Sequence, residues 1–541
     1  MYRQMITPKQ RVFIFEDKLM SNEVEPKTRS ISSVLAMFDI VIPEIEIENI
    51  VLDSRDVNQA SLFIAHKGTQ ESGRKYVLDA IDNGAKLALI DTDNPKQHGE
   101  VKETNAALII SFFDLESNIG SICNEFYRNV SSKLQCIATT GTNGKTSVAH
   151  ICAQLSAICH EDAATIGTMG VGFYTKDKPT EKVADTINTT PDIASLNKFA
   201  NLVKQRGAKR LCIEASSHGL EQNRLSDFHI DVAAFTNLTQ DHLDYHHSLE
   251  NYAGAKRLLL KQEGLKYLVL NADDQESHYW AQEAAKDMMI CLCSVKEQAA
   301  EQLVKAYSQR HHHHHYKYCI ALNARFTPSG STFEIDSSWG QASVSLPLIG
   351  QFNIANLLTA LGALLMQGLS FDLLLEATEK VNGVPGRMEV FESREHGNII
   401  VDYAHTPDAL QQALLAARQH AIGKLVVIFG CGGDRDNSKR GHMGSTAERL
   451  ADEVILTQDN SRNESLETII ADICQGIRNK SKLKIQLTRT TAIKEAYVNS
   501  QSDDLILVAG KGHEEYLELN SVREYYNERE YVKQLTMEFR G

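Results

Sequence analysis

The stretch Ile137–His150, "IATTGTNGKTSVAH", determines the fold of the central part of this chain. It begins as an apolar strand, and Val148, Ile151, Cys152 and Leu155 then recur at the i, i+3, i+4, i+7 spacing of a helix. The turn between them is rich in Thr, Gly and Asn. Such a turn directs several backbone N–H groups and a helix N-terminus at one point, which suits a polyphosphate. The stretch therefore predicts an α/β domain that binds a nucleotide.

The side chains of this turn predict separate tasks. Lys145 would reach the β- and γ-phosphates, and the Thr146 hydroxyl would bind Mg²⁺. The match to G-x-x-x-x-G-K-[ST] is imperfect, because Thr139 stands at the first glycine position and Gly141 comes later. An ordinary glycine turn is the alternative, but Lys-Thr at the start of an amphipathic helix favours a phosphate loop. The predicted nucleotide-binding residues here are Thr140, Gly141, Thr142, Asn143, Gly144, Lys145, Thr146 and Ser147.

The overall composition excludes several classes of protein. At 541 residues the chain is too long for one core, and typical domain sizes predict about three domains. The formal net charge of -14 argues against a nucleic-acid partner, whose phosphates would require a basic surface. A small anion can still bind where Arg, Lys and backbone N–H groups form a local pocket.

Cysteine usage and the N-terminal stretch predict a cytoplasmic protein. The ten cysteines are scattered, and the one close pair, Cys291 and Cys293, is too tightly spaced for a zinc knuckle. Scattered thiols are typical of reduced cytosolic proteins. Charges interrupt each apolar run of Met1–Met20, which excludes a secretory signal and a membrane span there.

Hydrophobic patterning predicts three domains, over 1–132, 133–387 and 388–541. The first contains predicted strands in "SLFIAHKG", "GAKLALID" and "AALIIS" and a helix in "YVLDAIDNG", after a weakly patterned stretch over 1–50. The second alternates the strands "KLQCIATT", "RLCIEAS", "VAAFTNL" and "KYLVLNA" with helices, as a mostly parallel sheet requires.

Two further regions complete the pattern. Residues 296–325 break the alternation and contain the tract His311–His315. Five histidines could bind a metal, but the pattern favours an exposed loop or an artificial insertion. Beyond Met388, "NIIVDYA", "PDALQQALLAARQHA", "KLVVIFG", "DEVILTQD" and "DLILVAG" predict a second doubly wound α/β unit without a phosphate loop of its own.

Polar residues that follow the central strands are candidates for metal binding. Glu214 ends the strand "RLCIEAS", where the carboxyl edge of the sheet would face the phosphates, although a strand-end carboxylate often only caps a helix. The segment "FTNLTQDHLDYH", residues 235–246, brings Asn237, Asp241, His242 and Asp244 together after another strand. Lys256 follows in "YAGAKRLLL", where a lysine would ordinarily extend to solvent.

The order of motifs resembles the Mur ligase family of ATP-dependent enzymes that extend the stem peptide of bacterial peptidoglycan. The matching stretches, between about Leu52 and Glu514, are "TGTNGKT", "NTTPD", "EASSHGLEQNR", "FTNLTQDHLDYH", "GQFNIANLL", "GVPGRME", "DYAHTPDAL", "FGCGGDRD" and "AGKGHE". This resemblance implies a small N-terminal α/β domain, a central P-loop ATPase-like domain with a parallel sheet, and a C-terminal Rossmann-like α/β domain. The short phosphate loop, imperfect under the general pattern, is the form this family uses.

The resemblance also implies a reaction. ATP would phosphorylate the γ-carboxylate of D-glutamate in UDP-N-acetylmuramoyl-L-alanyl-D-glutamate, and an amino group would attack the acyl phosphate. A carboxylate is a poor acyl donor because its leaving group would be an oxide, whereas phosphate leaves readily. Since an anionic carboxylate attacks an anionic phosphate, the placement of cations should dominate catalysis.

Catalytic and nucleotide-binding roles follow from the same resemblance. Lys145, Thr146 and Glu214 would hold the first of two Mg²⁺ ions and the phosphates. Lys256 would be carbamylated by CO₂, a reaction that is favoured when the pKa of the lysine is lowered. The carbamylated Lys256 would hold the second Mg²⁺ together with His242. Further contacts with the nucleotide would come from Asn353, Asn356, Arg387 and Asp402.

The resemblance places the UDP-sugar peptide between the first two domains. Each residue alone carries little information, because Thr-Thr-Pro, for example, is usually a helix cap. The residues implied are Leu52, Ser54, Thr69, Gln70, Glu71, Asn188, Thr189, Thr190, Ser216, Gln222 and Arg224.

The C-terminal domain would select the amino acid. Relatives that add meso-diaminopimelate carry Asp-Asn-Pro-Arg, whose Arg binds the distal carboxylate, and lysine-adding relatives lack that Arg. This chain has Asp459, Asn460, Ser461 and Arg462, so the Arg is kept while Ser replaces Pro. Arg435 is a second implied partner of the carboxylate, and Gly510 and Glu514 would bind the same substrate. The prediction is meso-diaminopimelate, with L-lysine as the alternative.

Two other functions compete with this prediction. A folylpolyglutamate synthase would share the fold and the acyl-phosphate chemistry, but the separate N-terminal domain, "SSHGLEQNR" and "DNSR" argue against it. An ATP-driven switch would release phosphate without either substrate. The partners expected are ATP, the UDP-muramoyl dipeptide and the amino acid, and the expected state is a monomer.

Overall fold

The computed structural model describes residues 28–66, 72–104, 106–177, 180–310, 315–435, 437–520 and 522–538. Backbone contacts divide the chain into two compact units. Among the described residues, the first comprises those up to Lys133 together with Asp192–Gly207 and Leu225–Phe228, and the second comprises the remainder. The predicted domain limits at 132 and 387 stay a prediction.

The first unit is built on a small α/β sheet. Its elements are β1 (Arg29–Ser30), α1 (Ser32–Ala36), β2 (Glu46–Ile47), β3 (Asn49–Val51), β4 (Ser61–Ala65), α2 (Val77–Asp82), β5 (Ala85–Thr92), β6 (Val101–Glu103), β7 (Leu108–Phe113) and α3 (Leu115–Phe126). Five strands pair in the order β3-β4-β5-β7-β6, parallel except for β6. Residues such as Phe63 and Ala88 are buried between this sheet and its helices. The predicted strands and helix of this region are confirmed.

The second unit begins with a sheet of eleven strands. They are β8 (Gln135–Thr140), β9 (Ala163–Gly167), β10 (Gly170–Tyr174), β11 (Glu181–Ala184), β12 (Arg210–Glu214), β13 (Val232–Phe235), β14 (Tyr267–Asn271), β15 (Met289–Ser294), β16 (His315–Thr327), β17 (Gly330–Ser337) and β18 (Gly340–Leu346). Their order is β11-β10-β9-β12-β8-β13-β14-β15-β16-β17-β18. The strands from β9 to β16 in this order are parallel, and the pairs at both ends are antiparallel.

Helices alternate with these strands along the chain. They are α4 (Lys145–Ile158), α5 (Ile193–Gln205), α6 (Ser217–Glu221), α7 (Leu243–His246), α8 (Leu249–Arg257), α9 (Ser277–Glu283), α10 (Ala300–Ser308), α11 (Gln351–Met366) and α12 (Phe371–Thr378). All of them except α5, which belongs to the first unit, lie in the second unit. The predicted helix face of Val148, Ile151, Cys152 and Leu155 is buried in the core, which confirms that prediction. The helix α11 is buried along almost its whole length, in keeping with its apolar sequence.

The prediction of a loop near 296–325 is wrong for most of that segment. Residues Ala300–Ser308 form α10, which buries Leu303 and Tyr307, and β16 begins at His315. Because only these two residues of the helix are buried, the hydrophobic periodicity of its sequence is weak. Four histidines of the tract, residues 311–314, lie outside the described residues.

The C-terminal part of the second unit is a second α/β sheet. The elements are β19 (Glu389–Phe391), β20 (Asn398–Asp402), α13 (Pro407–His420), β21 (Leu425–Phe429), α14 (Ser438–Leu450), β22 (Glu453–Leu456), α15 (Leu466–Gln475), β23 (Leu483–Ile485), α16 (Arg489–Val498), β24 (Leu505–Ala509), β25 (Tyr516–Leu519), β26 (Val522–Tyr525) and α17 (Glu528–Glu538). Six strands pair in the order β19-β20-β24-β21-β22-β23, parallel except for β19. Separate hydrophobic clusters cover the two faces of this sheet, which confirms the predicted doubly wound arrangement.

Candidate active site

Glu214 and Thr146 meet at the carboxyl edge of the central sheet. The strand β12 ends at Glu214 beside β8, whose following loop leads into α4. The Thr146 hydroxyl donates a hydrogen bond of 2.7 Å to Glu214 Oε2, and Glu214 is only 2% exposed. The helix after β12 is capped by Ser216, so Glu214 is not its cap. A hydroxyl and a carboxylate oxygen at the phosphate loop are ligands suited to Mg²⁺.

Thr168, for which the sequence motifs predict no role, also holds Glu214. Its backbone N–H donates to Glu214 Oε1 at 2.8 Å, and its hydroxyl donates to Oε2 at 3.2 Å. Because Thr168 follows β9, the neighbour of β12 in the sheet, its position after a strand is the signal that could have revealed it.

The phosphate loop is tied to the segment that follows β13. The Asn143 N–H donates to Asn237 Oδ1 at 2.9 Å, and the Thr142 N–H donates to the Asn237 carbonyl at 2.8 Å. Gly144 has φ +86°, and a Cβ there would lie 2.5 Å from Asn356 Oδ1. Glycine is therefore required both for the backbone conformation and for the close approach of α11.

Two lysines share one carbonyl of this loop. Lys145 Nζ donates to the Gly141 oxygen at 2.9 Å, and Lys256 Nζ donates to the same oxygen at 2.7 Å. Lys256 is 1% exposed, so the interpretation of this lysine as extending to solvent is wrong. Its position on α8 turns it toward the loop and the ring of Tyr252, 4.4 Å away. Burial, and next the charge of Lys145, lower the pKa of Lys256 to about 6.

His242 is a second neighbour of the Tyr252 ring. Its imidazole is 6.1 Å from the Tyr252 ring and 4.9 Å from that of His218, centroid to centroid. His242 has φ +53°, and its imidazole lies 3.5 Å from Asp241 Oδ2. Tyr252 thus has both predicted ligands of the second metal, His242 and Lys256, as neighbours. Within the described ranges, no group of three His, Cys, Asp or Glu side chains is arranged to hold a metal.

The remaining predicted ATP-binding residues lie in α11 and at the start of the C-terminal sheet. Asn356 Nδ2 donates to Asn353 Oδ1 at 3.1 Å, which fixes the amide that faces Gly144. The Arg387 guanidinium lies over the Tyr403 ring at 4.7 Å. Burial raises the pKa of Asp402, while Arg387 and backbone N–H groups lower it, and the net direction is upward. For Lys145 the same loss of solvation disfavours the charged amine, so burial lowers its pKa.

Residues predicted to hold the muramoyl peptide form one connected network in the second unit. The Thr190 hydroxyl donates to the Glu214 carbonyl at 2.7 Å and lies 3.0 Å from Ser216 Oγ. Arg224 donates to the Thr190 carbonyl at 2.7 Å and to Gln222 Oε1 at 2.6 Å. The cap of α5 is Asp192, so Thr190 is not a helix cap.

The other residues predicted to bind the UDP-sugar peptide lie in three segments of the chain. Thr189 lies 3.2 Å from the Thr168 hydroxyl, Oγ1 to Oγ1, and Asn188 is exposed. Leu52 and Ser54 belong to the first unit, at the end of β3 and in the short helical turn after it. Thr69, Gln70 and Glu71 lie outside the described residues.

The C-terminal domain brings most of the residues predicted for the amino acid together. Asn460 Nδ2 donates to Glu514 Oε2 at 3.0 Å. The buried Lys511, which the motifs did not single out, donates to Asn460 Oδ1 at 2.9 Å and pairs with Glu514. Gly510 has φ +113°, and a Cβ there would lie 2.5 Å from Asp459 Oδ2. Two loops, 459–462 and 510–514, therefore touch directly.

Arg462 is held at the edge of this cluster. Its Nη1 donates to the Gly433 carbonyl at 2.7 Å, and its Nε lies 3.7 Å from Glu518 Oε2. A Cβ on Gly432 would lie 3.1 Å from Arg462 Nη1 and 3.9 Å from Arg435 Cγ, so both arginines flank that glycine. Ser461 is buried and lacks the fixed φ of proline, but pairing of Arg462 with Leu519 holds this loop.

All ten cysteines are free, and eight of them are buried. Across the described ranges, the protein has no helix with the length and apolar character needed to span a bilayer.

Three family models match successive parts of the chain. They are described as the Mur ligase family, catalytic domain, over residues 46–127, the Mur ligase middle domain over 139–364, and the Mur ligase, glutamate ligase domain, over 386–512.

Similar proteins cover nearly the whole chain. The UDP-N-acetylmuramoyl-L-alanyl-D-glutamate--2,6-diaminopimelate ligase of Buchnera aphidicola subsp. Acyrthosiphon pisum (strain APS) is 40% identical over 474 residues, which are 88% of this chain and 92% of that protein. The ligase of the same name from Haemophilus influenzae (strain ATCC 51907 / DSM 11121 / KW20 / Rd) is 37% identical over 90% of this chain and 96% of that protein. A solved structure of a ligase of this name superposes with a TM-score of 0.67 at 32% identity, over 95% of this chain and 99% of that chain.

Proposed function

Because the chain belongs to the Mur ligase family, we propose that it joins 2,6-diaminopimelate, in the meso form, to UDP-N-acetylmuramoyl-L-alanyl-D-glutamate in peptidoglycan biosynthesis. The protein is an ATP-dependent ligase that forms an amide bond at the γ-carboxylate of D-glutamate, releasing ADP and phosphate. The observation that carries the assignment of its reaction centre is the phosphate loop joined to Glu214 through Thr146 at 2.7 Å.

The loop and its lysine would bind the phosphates of ATP. The first turn of α4 offers backbone N–H groups without intrahelical partners, and Lys145 adds a cation beside them. Lys145 Nζ donates to the carbonyls of Gly141 and Thr142 in this loop, so phosphate oxygens would replace those acceptors. Arg387, over the Tyr403 ring, would add a second cation from the start of the C-terminal domain.

The residues present fit the Mg²⁺ that this family uses. Thr146 and Glu214 would hold one ion, and we propose that His242 and a carbamylated Lys256 hold a second. Bound Mg²⁺ would neutralise charge on the phosphate and carboxylate oxygens and so let two anions approach. Support for the carbamate comes from the lowered pKa of Lys256, because only the neutral amine reacts with CO₂.

The loops 459–462 and 510–514 would bind the amino acid. We propose that Arg462, with Arg435 beside it, binds the distal carboxylate, which L-lysine lacks. Glu514 and the Gly510 carbonyl would accept hydrogen bonds from an ammonium group. Asn460 and Lys511 both donate to Glu514 Oε2, which leaves the orientation of this carboxylate fixed before substrate arrives.

The muramoyl peptide would contact the network of Thr189, Thr190, Ser216, Gln222 and Arg224. We propose that Asn188 contributes from the same segment, and that Leu52, Ser54 and residues 69–71 bind the uridine end. We propose that the protein is cytoplasmic, which its scattered cysteines support, and that it is a monomer, the state expected from the family resemblance. Size-exclusion chromatography would test the monomer.

Phosphate release with ATP, Mg²⁺ and the UDP-muramoyl dipeptide tests this function. We expect release only when an amino acid is also present, and faster with meso-diaminopimelate than with L-lysine. Activity with L-lysine alone would overturn the assigned substrate. Release without dipeptide or amino acid would instead indicate an ATP-driven switch.

A further inference from the structure

A buried ion pair lies beneath the loops of the C-terminal domain. Arg489 is the first residue of α16 and Glu528 is the first residue of α17, and the side chains of both are 0% exposed. Arg489 Nε pairs with Glu528 Oε2, Nη2 donates to Glu528 Oε1 at 3.1 Å, and the Tyr526 hydroxyl donates to Glu528 Oε2 at 3.1 Å. Full burial of such a pair is costly, so it requires nearly complete hydrogen bonding.

The other hydrogen bonds of Arg489 reach two backbone carbonyls. Nη1 donates to the Gln458 oxygen at 3.2 Å, and Nη2 donates to the Ala509 oxygen at 2.8 Å. Gln458 immediately precedes the loop 459–462, and Ala509 immediately precedes the loop 510–514. One guanidinium therefore holds the starting points of both loops to which we assign the amino-acid substrate.

The sheet alone does not fix the distance between these loops. They follow β22 and β24, which are separated by β21 in the strand order. The two loops cannot move closer together without a clash, because even a Cβ on Gly510 would lie 2.5 Å from Asp459 Oδ2. In addition, the positive charge of an arginine at the first position of a helix is unfavourable toward the helix dipole, so Glu528 has to compensate it.

We propose that Arg489, oriented by Glu528, is a positioning residue for amino-acid binding: it sets the spacing between the loops 459–462 and 510–514. This inference rests on the proposed function, since that function assigns the two loops to the substrate. Arg489 itself acts through the Gln458 and Ala509 carbonyls, without touching the substrate. A planar guanidinium can hold two carbonyls and a carboxylate at once, which an ammonium group cannot do in the same geometry.

Arg489→Lys tests this role, with Arg210→Lys as the matched control. Arg210 is also 0% exposed and fully engaged, but its partners Ser156, Gln367 and Glu161 lie in the central region. For Arg489→Lys we expect the KM for meso-diaminopimelate to rise about tenfold or more, with the KM values for ATP and the dipeptide within about twofold. Arg210→Lys should lower the melting temperature without raising the KM for the amino acid.

Three outcomes would overturn the proposal. The first is an unchanged KM for diaminopimelate in a folded Arg489→Lys variant. The second is an equal rise in the KM for ATP, and the third is the same amino-acid effect in Arg210→Lys. If Arg489→Lys does not fold, Glu528→Gln keeps the side-chain shape, and the same rise in KM is expected. A wild-type protein without diaminopimelate-dependent phosphate release would overturn the proposed function instead, so the two failures are distinguishable.

Discussion

Replacing Lys256 with methionine is expected to stabilise the protein while strongly lowering its activity. Near pH 7.5 a lysine with the ordinary pKa of 10.5 is protonated in the unfolded chain, whereas the buried amine, with a pKa of about 6, is neutral in the folded protein. Folding therefore requires Lys256 to lose its proton at pH 7.5, which is about three units below the ordinary pKa of the amine. At about 1.4 kcal/mol per unit, this costs about 4 kcal/mol.

Methionine has a stem of similar length and carries no charge, so Lys256→Met removes this cost. It also removes the hydrogen bond of 2.7 Å to the Gly141 oxygen, whose loss costs about 1 kcal/mol. We therefore expect the free energy of unfolding to rise by about 3 kcal/mol near pH 7.5. Turnover should fall about a hundredfold or more, because a group proposed to hold charge at the transition state is lost.

The stability difference between the wild type and Lys256→Met should depend on pH. Between the folded pKa of about 6 and the unfolded value of 10.5, the unfolded chain binds one proton more than the folded protein. Wild-type stability therefore rises with pH across this window relative to the variant. The advantage of Lys256→Met should shrink by about 1.4 kcal/mol for each pH unit above 7.5 and approach its largest value below pH 6.

Urea unfolding followed by tryptophan fluorescence measures this difference for the relevant region. Both tryptophans of the chain, Trp280 and Trp339, lie in the central α/β region that contains Lys256. The buffer should be free of metal and depleted of CO₂, and the exposed Lys305→Met provides the control. If Lys256→Met is no more stable than the wild type, with the same pH dependence, Lys256 is charged in the folded protein. The proposed carbamylation would then lose its physical support.

Three further predictions concern the other parts of the site. Glu214→Gln keeps the acceptor for Thr146 but removes the charge, so the Mg²⁺ concentration for half-maximal phosphate release should rise at least about tenfold; an unchanged Mg²⁺ dependence would exclude Glu214 as a ligand. Gly144→Ala places a methyl group 2.5 Å from Asn356 Oδ1 at a φ of +86°, so the KM for ATP should rise and stability should fall by about 1–2 kcal/mol, both measurable with the purified variant. Arg462→Ala should raise the KM for meso-diaminopimelate about ten- to hundredfold and leave that for ATP unchanged, and an unchanged KM for the amino acid would contradict the role of this arginine.

Regular elements could be predicted from the sequence where their period was strong. Buried strands such as Leu425–Phe429 are continuous apolar runs bounded by turns, and α4 repeats its apolar residues over several turns. The helix Ala300–Ser308 was missed because only two of its residues are buried. Secondary structure is thus readable from sequence in proportion to how much of an element faces the core.

The phosphate loop could be predicted from its own residues, whereas the role proposed for Lys256 followed only from the family resemblance. Burial of Lys256 depends on the angle between α8 and the phosphate loop, and no local pattern encodes that angle. The same holds for Arg489, whose two carbonyl partners precede loops that are 51 residues apart in the chain, as the separation of Gln458 and Ala509 shows. Polar residues held by distant backbone groups leave no periodic signal, so sequence reasoning passed over Thr168, Lys511 and Arg489.

Strand order explains why the scattered motifs form one site. Along the sheet, β9, β12, β8 and β13 are consecutive neighbours and all parallel. Their carboxyl ends carry Thr168, Glu214, the phosphate loop and Asn237 in that spatial order, although the phosphate loop comes first in the chain. Because carboxyl ends of parallel strands share an edge, the acidic and neutral oxygens converge there, beside the cation of Lys145 and the backbone N–H groups of the phosphate loop. A chain with a net charge of -14 can therefore bind polyphosphate, since the local arrangement at this edge, and not the overall charge, sets the field that ATP meets.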